Sequence, residues 1–120
     1  MTTYTLRLRG IAVGYTELEE RDPAAGVARG TLRPGLGFDL VEPVFRLRAD
    51  AADAGGAART ELLERYRKAS EALRLELVNA AGRRVGASEL VVLLPGDGEA
   101  TPRLEARIED ERFWQGRDEG

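Results

Sequence analysis

The chain has 120 residues, a net charge of −3, 42% apolar and 32% charged residues, and neither histidine nor cysteine. Without imidazole or thiolate it can build no Ser-His-Asp or Cys-His nucleophile and no structural zinc site. Its 18 basic and 21 acidic residues are interspersed, so a basic footprint for a phosphate backbone is missing as well.

Chain order predicts the following elements. Tyr4, Leu6 and Leu8 alternate with Thr5, Arg7 and Arg9, the period-2 pattern of a half-buried strand. Ile11, Val13 and Tyr15 continue the alternation in a second extended segment reaching about Leu18, with Gly10 and Gly14 marking a bend or bulge. Glu19 to Gly26 reads as a loop, since Asp22-Pro23 starts a turn, and a short strand follows at Val27 to Arg33. Pro34-Gly35-Leu36-Gly37 breaks the chain, its glycines expected to supply positive φ in turns. From Phe38 to Arg48 the expectation is two short extended pieces interrupted by Pro43.

Ala49 to Ala58 holds only Ala, Asp and Gly and reads as a flexible connection. A helix is predicted over about 60–73, capped by Thr60, because Leu62, Tyr66, Ala69 and Leu73 fall on one stripe. Leu73 to Leu77 alternates into the turn Asn79-Ala80-Ala81-Gly82 and on to Val85 and Leu90–Leu94, predicting a hairpin. Pro95-Gly96-Asp97-Gly98 is a turn by composition, and Leu104, Ala106 and Ile108 give a last strand. The fold class expected is α+β, a mostly antiparallel β-sheet or β-sandwich with one amphipathic helix. A chain of this length is expected to hold one globular domain over 1–109 with a partly disordered C-terminal tail at 110–120. No leader-like apolar stretch opens the chain and no window reaches the roughly 18 apolar residues of a bilayer span, so the expected location is the cytoplasm, away from membranes.

Four features bear on function. Glu17, Glu19 and Asp22 are crowded into one acidic segment, where carboxylates can divide acid and base roles or hold a divalent metal through oxygen. Arg29-Gly30 to Gly37 joins two Arg to several Gly in a loop whose amides could cradle an anion, although its spacing matches no nucleotide fingerprint. Arg46, Arg48 and other strand arginines present a polar face, either paired with Glu76, Glu105 and Glu109 or reading an acidic partner. Phe113 and Trp114 stand together in the polar tail and suit either a contact with their own domain or an anchor for a partner.

The segments Gly14-Tyr15-Thr16-Glu17-Leu18-Glu19, Asp22-Pro23, Gly26-Val27-Ala28-Arg29-Gly30 and Pro34 resemble a pattern in small uncharacterised bacterial proteins. The resemblance implies a bacterial domain and brings no activity and no site residues. The reading is therefore a non-enzymatic interaction or accessory module, immunity-like in character, without a cofactor. It would work through a protein partner or self-association rather than nucleic acid, using Phe113, Trp114, Arg46 and Arg48. The alternatives are a carboxylate-dependent or divalent-metal enzyme using Glu17, Glu19 and Asp22, and a small-molecule sensor with an apolar pocket between sheet and helix.

Overall fold

The computed structural model describes residues 3–95 and 101–116; most of the turn expected after Pro95 and the last four residues of the tail lie outside them. The fold is α+β, with two antiparallel sheets and two main helices.

Strands β1 (Tyr4–Leu8) and β2 (Ile11–Thr16) form a hairpin closed by Arg9-Gly10. Both turn residues have positive φ, 52° and 84°, as a two-residue type I′ turn requires. Past β3 (Glu20–Asp22), β4 (Val27–Thr31) and the two-residue β5 (Arg33–Pro34), the chain enters α1 (Phe38–Asp53) and α2 (Gly56–Leu73). It then returns through β6 (Glu76–Val78), β7 (Arg84–Val85), β8 (Ala87–Leu93) and β9 (Arg103–Ile108), and ends in a short helix, α3 (Glu111–Trp114). One sheet has the order β5-β2-β1-β6-β7 and the other β3-β4-β9-β8, so β8 is an outer strand.

The strand alternation delivers the core as the sequence implies. Tyr4, Leu6, Val13, Leu77 and Val85 of the first sheet meet Ala28, Val92, Leu104, Ala106 and Ile108 of the second in one buried cluster. Val41 and Phe45 of α1 complete it. On the polar faces, Arg7 lies opposite Glu76 and Arg29 opposite Glu105 in register, with guanidinium-to-carboxylate distances of 3.9 and 3.1 Å.

Two segments differ from expectation: Glu20–Asp22, within the expected loop, pairs with β4 as strand β3, and residues 38–58 are largely helical. The extended pieces expected between Phe38 and Arg48 are helix α1, and most of the Ala-rich stretch is helical too, leaving only a short break at Ala54-Gly55. Phe38, Val41 and Phe45 follow spacings of three and four that face the core, and Ala has the highest helix propensity of any residue. Pro43 sits inside α1, where it removes one backbone donor without ending the helix. Gly55, not Thr60, occupies the N-cap of α2, and Thr60 Oγ1 instead donates back to Gly56 O. The predicted stripe Leu62, Tyr66, Ala69 and Leu73 does face inward, but it is only half covered, and α2 has no fully buried residue. Its main anchor is Tyr66 against Phe45, with ring centroids 5.8 Å apart.

Candidate functional site

The loop between β5 and α1 is fixed from both sides. Gly35 N donates to Val13 O and Gly37 N to Ala12 O, each at 2.8 Å, which presses the loop onto β2. A Cβ on Gly35 would stand 2.7 Å from Ala12 O, and one on Gly37 would stand 2.9 Å from Ile11 Cγ2. Neither glycine has positive φ, so close approach, rather than the turn conformation expected from the sequence, is what excludes a side chain here.

Between these two glycines Leu36 is 97% exposed on a backbone that has little freedom to move. Tyr15 flanks it on the Gly35 side and Ile11 on the Gly37 side. Leu40 follows one helical turn later, 56% exposed, and shares a cleft of roughly 380 Å³ with Leu8, Ile11 and Leu73, edged by Arg9. Leu36, Leu40, Ile11 and Tyr15 are four of the five large apolar side chains most exposed among the described residues. Single exposed apolar residues are ordinary, whereas several gathered about one rigid turn mark a contact surface.

The residues singled out from sequence are dispersed. Phe113 is fully buried, packed edge-on against Tyr4 with centroids 5.5 Å apart and covered by the Arg21 guanidinium at 4.3 Å. Trp114 is half-buried, and its Nε1 donates to Ile108 O at 2.9 Å. Both are engaged with their own domain. Arg46 and Arg48, expected on a strand face, lie on helix α1; Arg46 pairs with Glu42 one turn back at 3.4 Å, while Arg48 is exposed.

The acidic segment does not converge. Glu19 Oε1 accepts from Thr31 N, and Asp22 Oδ1 accepts from Ala25 N, so two of the three carboxylates are occupied in holding backbone. Among the described residues, no three carboxylates are grouped closely enough to hold a metal ion. The glycine at position 30 is explained by the same packing, because a Cβ there would lie 2.5 Å from both Glu19 Oε2 and Thr16 Oγ1.

Comparison with protein-family models, with curated proteins and with solved structures finds no match to this chain. Among the described residues, no helix is long and apolar enough to cross a membrane.

Sequence reasoning missed the surface around Leu36 because Ile11, Leu36 and Leu40 were assigned to strands or turns one at a time. The available signal was an apolar residue between two glycines in a loop, where no alternation or helical spacing gives it a buried face.

Proposed function

We propose that this protein is a non-enzymatic interaction module that pairs with a second copy of itself through the apolar surface around Leu36. The observation carrying this reading is a fully solvated Leu36 held on a backbone that is clamped to β2. A pre-ordered anchor loses little entropy on docking, which is what distinguishes a binding surface from a loose apolar loop. An apolar patch also complements itself across a two-fold axis, where a charged patch would repel its own copy. Burying a leucine that is otherwise exposed contributes about 1.5–3 kcal/mol, against association costs of about 4–15 kcal/mol, so a patch of one fully exposed and three half-exposed apolar side chains per copy supports at most a weak dimer.

Sedimentation equilibrium over micromolar to millimolar concentrations tests the reading. The wild-type chain is expected to dimerise with concentration, and Leu36→Asp to remain monomeric with an unchanged melting temperature. A wild-type protein that stays monomeric throughout, or a Leu36→Asp variant that dimerises equally well, overturns it.

A further inference from the structure

A second surface lies on the other side of the Arg9-Gly10 turn. Arg9 and Arg74 both line a cleft of roughly 670 Å³ whose apolar floor includes Leu75, Leu77, Val85 and Leu90. Neither guanidinium group makes a hydrogen bond or ion pair among the described residues. The carboxylate within the cleft is Glu76, and it is already engaged by Arg84 at 3.2 Å and Arg7 at 3.9 Å. The site therefore carries uncompensated positive charge in a chain that is acidic as a whole.

Both free arginines occupy positions that ordinarily favour another residue. Arg9 takes the first place of a type I′ turn with φ 52°, where Asn or Gly is preferred, and Arg74 ends α2 in the left-handed region with φ 51°, where Gly is preferred. Two departures from local preference bring two unpaired guanidinium groups to one cleft. Such departures concentrate where a side chain is needed for binding.

The cleft continues into a second one of roughly 350 Å³ through Leu75, Ala87 and Leu90, which line both. Phe45 and Tyr66 lie in the second cleft, with Glu89 and the ion-paired Arg67 and Glu71, 3.2 Å apart, at its margin. The combined furrow is open and follows the first residues of β8, an outer strand of its sheet. An open furrow of this kind suits an extended chain better than a small molecule, which needs most of its surface enclosed. The unpaired arginines stand at one end and the rings of Phe45 and Tyr66 at the other, beside Glu89 and the neutralised Arg67–Glu71 pair, which sets a direction: carboxylates at the arginine end, apolar side chains at the aromatic end.

We propose that this furrow binds an extended peptide of a partner protein in which acidic residues are followed by apolar ones, its carboxylates received by Arg9 and Arg74. Guanidinium groups suit this role because they take carboxylates through paired, charge-assisted hydrogen bonds.

The probe is a fluorescein-labelled peptide with two Glu followed by Val and Leu, compared by anisotropy with its Gln-for-Glu counterpart. The double variant Arg9→Gly with Arg74→Gly removes both guanidinium groups while easing the backbone at both positions, so it is expected to fold and to melt at a higher temperature than wild type. The Glu peptide should bind wild type with an affinity that falls as salt rises, and both the Gln peptide and the double variant should bind at least about tenfold more weakly. Leu36→Asp should bind the Glu peptide as wild type does, which keeps this result separate from the test of self-association. No binding of the Glu peptide up to millimolar concentration, equal binding of the Gln peptide, undiminished binding by the double variant, or loss of binding in Leu36→Asp overturns the proposal.

Discussion

Arg83 Nη1 donates to Asp110 Oδ2 at 2.9 Å, joining the β6–β7 hairpin to the cap of α3. Asp110 also accepts from Arg112 N at 3.0 Å and Gly86 N at 3.5 Å. Burial opposes ionisation of this carboxyl, but the Arg83 guanidinium and the two backbone donors outweigh it and hold its pKa below the usual aspartate value. Because the folded-state pKa is depressed, the stabilisation is fully present above the unfolded-state pKa and is lost as pH falls through the folded one. Urea unfolding between about pH 5 and pH 2 should therefore show a smaller stability loss in Asp110→Asn than in wild type. At neutral pH, Asp110→Ala is expected to cost about 2 kcal/mol or more, through loss of a cap and a charge-assisted bond. Arg83 Nε and Nη2 are already buried without hydrogen-bond partners, so little else compensates its charge.

Phe113 gives a prediction about the C-terminal segment. A fully buried ring that touches Tyr4, Trp114 and Arg21 acts as core, although it lies beyond the last strand. Phe113→Ala should cost about 3–5 kcal/mol in chemical unfolding. Arg112, exposed beside it, should tolerate Ala within about 0.5 kcal/mol. Equal effects of the two substitutions would contradict this packing.

Close backbone approach makes a third prediction possible. Gly35→Ala must displace Ala12 O, a backbone atom, whereas Gly55→Ala meets nothing within 4 Å and has negative φ. The first should destabilise by about 1–3 kcal/mol, and the second by less than about 1 kcal/mol, the cost of Ala for Gly at an N-cap. Gly35→Ala should also weaken self-association, because the loop that presents Leu36 has to shift. Thermal unfolding and sedimentation of the same two variants read both effects.

The parts of the fold that were legible are those in which local pattern and tertiary packing agree. The Tyr4-Leu6-Leu8 and Leu104-Ala106-Ile108 alternations each bury one face, and Asn79 to Gly82 turns the β6–β7 hairpin where the sequence places it. Phe38 to Asp53 was misread because Pro43 and the run Val44-Phe45-Arg46-Leu47-Arg48 mimic an interrupted strand, while the helical spacing of Phe38, Val41 and Phe45 is sparse. The candidate surfaces were less legible still. Leu36 and Leu40 join Ile11 only after the loop is pressed onto β2, and Arg9 and Arg74 meet only through two turns 65 positions apart in the chain.

Pro43 supplies the last prediction. Six residues into α1, its ring lacks the N–H that would bond to Asp39 O and crowds that carbonyl. The side chain is exposed, so substitution removes little packing. An interior proline costs a helix about 3 kcal/mol relative to Ala, and local adjustment of a helix can absorb part of that. Pro43→Ala should therefore raise stability by about 1–2 kcal/mol in urea unfolding. Stability that falls in Pro43→Ala would instead mean that Pro43 itself is required for Val41 and Phe45 to reach the core together, a result that Phe45→Leu in the same background can check, because a misplaced ring should then lose less on truncation than it does in wild type.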